Sequence, residues 1–175
     1  MTTASDISRL LVRPQEGSDL HQRLRIRVGD DTASTPAELL HSLVTGPDMP
    51  RSEFPSSDEV PSTVEQISAV LRPLAVAPEQ IAGLMAAVCC TDLAYRWLSR
   101  SWPIEEAASA WRSALELLGD QARWWTNAGF RGETSAAALH EGLPSWDPVT
   151  TFVFDLAFVG IGADATVTVV SFADD

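Results

Sequence analysis

One carboxylate lies inside a strongly apolar stretch near the C-terminus, and its chemistry depends on its burial. Asp155 falls within residues 150–160, where most of its neighbours are aliphatic or aromatic. A buried carboxylate needs a charged or hydrogen-bonding partner, and Arg23, Arg25 or Arg27 could supply one across a sheet. Asp155 could then act as an acid of raised pKa or as a substrate clamp. A structural ion pair or an exposed position at a sheet edge is the favoured interpretation.

Residues 23–28 alternate strictly between arginine and an aliphatic residue. This period of two predicts a half-buried strand with Leu24, Ile26 and Val28 facing inward. The arginines would then form a positive stripe on the other face. This stripe, with Arg25 at its centre, could bind a carboxylate or a phosphate. Pairing of the stripe with the protein's own acidic residues on neighbouring strands is favoured.

Asp92 and Arg96 are four residues apart near the end of a long predicted helix. That helix begins at Pro78, contains ten uncharged residues from Ile81 to Cys90, and is predicted to end near Leu98. An Asp–Arg pair at this spacing lies on one helix face, either exposed to solvent or lining a cleft. We expect any function of this helix at its C-terminal end, where the side chains become polar.

Six tryptophans occur in the second half of the chain, and two of them are adjacent. We predict that Trp124 and Trp125 belong to a short helix over residues 120–127. Neighbouring residues diverge by about 100° on a helix, so both cannot face one core. Either one of them is exposed as a contact patch, since exposed tryptophan marks binding surfaces, or a nearby loop covers both.

The remaining reactive residue types form no catalytic or metal-binding motif in the sequence. The two cysteines are adjacent, at Cys89 and Cys90, and the three histidines are scattered. Adjacent cysteines within an apolar helix predict packing groups and not a nucleophile or a zinc site. Gly160 and Gly162 lack the third glycine of a phosphate loop and are interpreted as part of a hairpin turn. We therefore assign no catalytic residue, metal or cofactor.

The formal net charge of −12 constrains the classes of partner. This sign disfavours nucleic acid and anionic membranes and favours encounter with a basic protein. The N-terminus has no signal-peptide pattern, and no apolar run approaches the length of a membrane span. Free thiols suit a reducing compartment, so we expect a cytoplasmic protein.

The pattern of predicted elements indicates an α+β fold. We expect about five helices packed on a small, mostly antiparallel sheet that contains the strand at 23–28 and a C-terminal β-hairpin over 150–160 and 165–172. Besides the long helix from Pro78 and the short one at 120–127, helical segments are predicted at 5–13, 35–45, 62–74, 104–118 and 133–140. The chain is expected to be a single domain over 1–175, with an irregular Pro-rich loop at 46–61.

Three functions remain open at this point. The favoured one is a non-enzymatic acidic protein that binds and regulates or inhibits a basic partner. The second is a small enzyme or ligand-binding protein with a pocket between helices and sheet, in which Asp155, Arg25 or Arg96 would be polar groups. The third is a homo-oligomeric structural module that associates through the apolar C-terminal hairpin.

Overall fold

A five-stranded antiparallel sheet organises the chain, and helices pack on both of its faces. The computed structural model describes residues 2–11, 22–53, 60–74, 76–98, 102–130, 139 and 144–174. The helices of these ranges are α1 (Thr3–Leu11), α2 (Pro36–Val44), α3 (Val64–Val70), α4 (Pro78–Cys90) and α5 (Ile104–Leu118). The strands are β1 (Gln22–Gly29), β2 (Arg72–Pro73), β3 (Arg123–Thr126), β4 (Ala128–Gly129), β5 (Ser145–Trp146), β6 (Phe154–Ile161) and β7 (Thr166–Ala173).

The C-terminal hairpin forms the centre of the sheet. The strand order is β1-β7-β6-β3-β2, and β4 and β5 form a separate two-stranded sheet. Both strands of the hairpin therefore have a partner on each edge. Because helices also cover both faces of the sheet, β6 and β7 are apolar on both faces. The α+β fold with a C-terminal hairpin is confirmed, although β6 begins at Phe154 and not at residue 150.

Each face of the sheet has its own core. Side chains of Leu156, Phe158, Val167 and Val169 pack with those of α1, α4 and α5. The alternate residues of the same strands pack with α2 and α3, and they include Ala157, Val159, Val170 and Phe172. This alternation follows from the period of two along a strand. The sheet is consequently the middle of three layers.

Local capping signals define α2 and α3. Thr35 and Glu38 form a capping box at α2, as predicted, because each side chain bonds to the other residue's backbone N–H. The capping box of α3 is formed by Thr63 and Gln66, one residue later than the predicted pair. The helix ends at Val70, and the chain then pairs with β3 as a short edge strand containing Pro73, a position that proline tolerates.

The central helix α4 is shorter than the sequence pattern predicts. It ends at Cys90, and residues 91–98 form a turn that is closed by a bridge between Thr91 and Leu98. The Asp92 side chain accepts hydrogen bonds from the backbone N–H groups of Ala94 and Tyr95, at 2.9 Å each. Aspartate competes with helical hydrogen bonding in this way. The prediction that the helix continues to Leu98 is therefore wrong.

Residues 123–126 form a strand and not the predicted helix. Trp124 packs its ring over Gly160 of β6, where an added Cβ atom would lie 2.6 Å from the ring carbon Cζ2. A Cβ atom on Gly162 would lie 2.2 Å from the carbonyl oxygen of Leu118, at the end of α5. Close packing, and not the turn alone, therefore accounts for both glycines. This pairing between distant segments overrides the local helical pattern.

The Pro-rich loop at 46–61 is described at its two ends, residues 46–53 and 60–61. Ser52 donates its backbone N–H to Thr151 Oγ1 at 3.0 Å and its hydroxyl to Asp174 Oδ1 at 2.8 Å. The first part of the loop is thus attached to the end of the central hairpin. Residues 54–59 lie outside the described part of the chain. Most of the helix predicted at 133–140 and the side chain of Arg23 also lie outside it.

Candidate functional site

The Asp155 carboxylate is buried at the start of β6 and accepts hydrogen bonds from neutral donors. Its residue is 1% exposed. Oδ2 accepts from the backbone N–H of Val149 at 3.0 Å, and from the N–H and hydroxyl of Thr150, each at 2.8 Å. Oδ1 accepts from Asn127 Nδ2 at 2.8 Å. We call Asp155, Asn127, Val149 and Thr150 the Asp155 cluster.

The predicted arginine partner of Asp155 is replaced by these neutral groups in the described part of the chain. Arg25 is on the same face of the sheet but is directed toward residues 46–49, where its Nε donates to the Asp48 carbonyl oxygen at 3.3 Å. Burial raises the pKa of Asp155 to about 6, and the hydrogen bonds from Thr150, Val149 and Asn127 oppose this shift. The carboxylate is therefore mostly ionised at neutral pH.

Asn127 is the member of the cluster that the sequence did not indicate. It lies between β3 and β4 and is fully buried. Its Oδ1 accepts from the backbone N–H of Ala157 at 2.8 Å, while its Nδ2 also donates to the Asp147 carbonyl oxygen at 2.9 Å. Asn127 thus joins β3, the segment before β6, and β6 itself. The signal in the sequence was weak, an isolated asparagine after an aromatic run.

The Asp155 cluster is closed to substrates because its acceptor oxygens are occupied and covered. Four donors surround two carboxylate oxygens, and Phe154 and Leu156, on either side of Asp155, pack into the core formed with α1, α4 and α5. Such a network orients loops and strands with respect to each other. We conclude that its chemistry is structural, and that it fixes the segment from residue 147 to 153 at the end of the sheet.

The turn after α4 is the most exposed ordered apolar feature of the described residues. We call residues 91–98 the aromatic turn. Large hydrophobic side chains project from it, with Tyr95 41%, Trp97 70% and Leu98 49% exposed. The rings of Tyr95 and Trp97 lie 5.5 Å apart between centroids. Apolar surface of this kind, grouped in one short segment, is typical of interaction sites.

Backbone hydrogen bonds hold the aromatic turn in one conformation. Asp92 N–H donates to the Trp97 carbonyl oxygen at 2.8 Å, and Arg96 N–H donates to the Asp92 carbonyl oxygen at 2.7 Å. Arg96 has a φ angle of +59°, in the left-handed region that non-glycine residues seldom adopt. Strained conformations of this kind cluster at functional sites. Asp92 and Arg96 are therefore turn residues and not a pair on a helix face.

Trp124 and Trp125 lie on opposite faces of β3. Trp124 is buried, and its ring makes an edge-to-face contact with Trp111 at 6.5 Å between centroids. Trp125 is half-buried beside the second core, with the guanidinium of Arg123 5.5 Å from its ring centroid. The two rings point in different directions, as predicted, but the reason is that successive residues of a strand face opposite sides of the sheet. They form a weaker contact patch than the aromatic turn because neither is among the exposed large side chains.

The cysteines are buried next to each other at the end of α4. Burial raises the pKa of the Cys89 thiol strongly and that of Cys90 to about 12. Both remain protonated at neutral pH and are poor nucleophiles or metal ligands. Within the described ranges, no group of three His, Cys, Asp or Glu residues could hold a metal ion.

The C-terminal hairpin, the predicted oligomer interface, is covered by this chain's own helices and strands. Its two strands are buried along almost their whole length. Its association with a second copy stays a prediction. In the described part of the chain, no helix is long and apolar enough to cross a membrane.

Comparisons with protein-family models, curated proteins and solved structures find no match for this chain.

Proposed function

We propose that this protein is a non-enzymatic cytoplasmic binding protein that regulates or inhibits a partner protein, with the aromatic turn as its contact surface. The observation that carries the proposal is the 70% exposure of Trp97 on a turn whose backbone is held by hydrogen bonds. An exposed tryptophan costs free energy in water, and burial against a partner recovers it.

The residue types at the tip of the turn match those that dominate binding energies at protein interfaces. Tyr95, Arg96 and Trp97 are consecutive, and tyrosine, arginine and tryptophan are the types most enriched among interface hot spots. Asp92 fixes the backbone before a partner arrives, so little conformational entropy is lost on binding. The proposed anchors are Tyr95 and Trp97, with Arg96 as a donor to oxygen acceptors on the partner.

The overall charge supports a basic partner. The chain has 24 acidic and 12 basic residues, so a positively charged protein would be attracted at long range. The same charge argues against nucleic acid. The proposed cytoplasmic location is supported by the two cysteines, which are free and buried, and would remain reduced there.

The enzymatic alternative is less well supported because its proposed acid, Asp155, is buried. Asp155 is enclosed by its own hydrogen-bond donors, and Arg96 lies in an exposed turn on a different part of the fold. The ligand-binding alternative keeps Arg25, which borders an open groove beside α2.

Site-specific photo-crosslinking in the source cells tests the proposal. A benzophenone amino acid is introduced at Trp97 in one variant and at Leu117 in a second. Leu117 is the matched control because it is an exposed hydrophobic residue, at 42%, on α5. We expect one cross-linked partner in stoichiometric amount at position 97, no equivalent product at 117, and loss of the complex at raised salt.

Two results would contradict the proposal. Equal labelling at both positions would show that the contact is non-specific, and no product at position 97 would show that the turn contacts no partner. A product with twice the mass of this chain would instead support the homo-oligomeric alternative. Sedimentation of the purified protein then gives its mass in solution independently.

A further inference from the structure

A groove of about 490 Å³ lies between β1 and the C-terminal end of α2. Its lining combines charged and apolar residues: Arg25, Ile26, Arg27, Leu43, Asp48 and Met49. This volume is in the range of sites that bind small molecules. The groove is on the α2 side of the sheet, whereas the aromatic turn follows α4, which packs on the other side.

The two arginines are directed into the same region because they are two residues apart on one strand. Arg27 donates from a terminal nitrogen to Ser42 Oγ of α2 at 2.7 Å. Arg25 donates to the Asp48 carbonyl oxygen, and its guanidinium is 5.8 Å from the ring centroid of Phe172. The bond to the neutral Ser42 hydroxyl orients the Arg27 guanidinium without neutralising its charge.

Arg27 keeps its positive charge uncompensated within the described part of an acidic chain. Ion pairs of that part join Arg9 to Asp6 and Arg72 to Asp147, but no described carboxylate is within ion-pair distance of Arg27. A guanidinium has five N–H donors, and the bond to Ser42 uses one of them. The remaining donors match the paired oxygens of a carboxylate or a phosphate.

Apolar side chains extend the groove beyond the charged groups. Leu43 belongs to the core on this face, and Met49 packs at its margin. A ligand that carries only an anionic group would not use this surface. Asp48 also lines the groove, and its negative charge weakens the binding of every anion, most of all one of high charge.

We propose that this groove binds a small organic anion, with its oxyanion group held by Arg27 and its apolar portion against Leu43 and Met49. The oxyanion is a carboxylate or a phosphate ester, since both have oxygens spaced for a guanidinium. This function is separate from partner binding by the aromatic turn, because the two sites are on different faces of the sheet.

Titration followed by NMR of the arginine Nε–H groups tests the proposal with the full chain. The probes are acetate, hexanoate, inorganic phosphate and hexyl phosphate, with sodium chloride at equal ionic strength as the reference. We expect saturable shifts of the Arg27 signal. Hexanoate should bind more tightly than acetate, and comparison of hexanoate with hexyl phosphate identifies the preferred oxyanion.

Four variants separate specific binding from a general effect of charge. Arg27→Gln should weaken binding of every probe about tenfold or more, the effect of losing a charge-assisted hydrogen bond. Leu43→Ala should weaken hexanoate severalfold and leave acetate unchanged, and Asp48→Asn should strengthen anion binding severalfold. Arg112→Gln, which removes one charge from the exposed side of α5, is the control and should change nothing.

Thermal unfolding of each variant confirms that it is folded before the titration is interpreted. Shifts that do not saturate, or that Arg112→Gln reduces as much as Arg27→Gln does, would overturn the proposal. Equal affinity for acetate and hexanoate would overturn the assignment of the apolar wall.

Discussion

The replacement of Asp155 by asparagine should change stability in a way that depends on pH. The carboxylate accepts four hydrogen bonds, one of them from Asn127 Nδ2. In Asp155→Asn, an amide nitrogen faces Asn127 Nδ2, so two donors oppose each other. Asn127 cannot rotate to correct this without breaking its bond from Ala157 N–H. A buried donor without an acceptor costs about 1–3 kcal/mol at every pH.

A second contribution varies with pH because the pKa of Asp155 differs between the two states. It is 3.8 without the fold and is raised to about 6 within it. The folded state therefore binds the proton more tightly. The stability from this group is fully present below pH 3.8 and is lost as the pH rises through 6. A difference of roughly two pKa units corresponds to about 3 kcal/mol.

Urea unfolding of the wild type and of Asp155→Asn between pH 4 and pH 8 measures this contribution. The wild type's free energy of unfolding, relative to that of the variant, should fall by about 2–3 kcal/mol across this range. Asp164→Asn, in the exposed turn between β6 and β7, controls for the loss of one surface carboxylate. Thr150→Val removes a donor that lowers the pKa, and should move the transition to higher pH.

The sign of the pH dependence decides whether the reasoning holds. If the wild type instead gains stability relative to Asp155→Asn as the pH rises, the four hydrogen bonds outweigh the cost of burial. A constant difference would show that Asp155 has the same pKa in the folded and unfolded states. Either result would refute the assignment of burial as the dominant influence on this group.

Three further substitutions, with Gly83→Ala as the control for one of them, test the packing and the aromatic turn by urea unfolding. Arg96→Gly should raise the free energy of unfolding by up to about 1 kcal/mol because glycine adopts a positive φ without strain. The same substitution should weaken partner binding. A clear loss of stability would show that the Arg96 backbone is not strained. Gly160→Ala should cost about 1–3 kcal/mol because its Cβ would meet the buried Trp124 ring, whereas Gly83→Ala, with open space, should not destabilise. Thr91→Val should stabilise by about 1 kcal/mol, since no described residue bonds its buried hydroxyl; an unchanged stability would show that the hydroxyl has a partner.

The parts of the fold that depend on local signals were predictable from the sequence. The capping box of Thr35 and Glu38 specifies α2 because both partners lie within four residues. The two apolar segments of the C-terminal hairpin are adjacent in the chain, so their pairing needs only a short turn. Helix α5 was predicted with its observed bounds from its amphipathic period and Gly119.

The errors arose where distant residues determine the local structure. Trp124 is in a strand because Gly160, far along the chain, leaves room for its ring. The partners of Asp155 could not be predicted because Asn127 reaches it only after β3 pairs with β6. The end of α4 was missed for a more local reason, since Asp92 can continue a helix or close a turn. The spacing of apolar residues along the sequence does not distinguish a continued helix from a turn at this position.

Three features that oppose stability coincide in the aromatic turn, and this favours a functional interpretation of it. Thr91 buries a hydroxyl that no described residue bonds, Arg96 holds a positive φ, and Trp97 exposes a large apolar surface. The buried Asp155 carboxylate, by comparison, has four donors. Natural sequences are locally consistent with their folds except where function requires otherwise. The turn's conformation is thus explained better by the proposed contact with a partner than by a contribution to the stability of the fold.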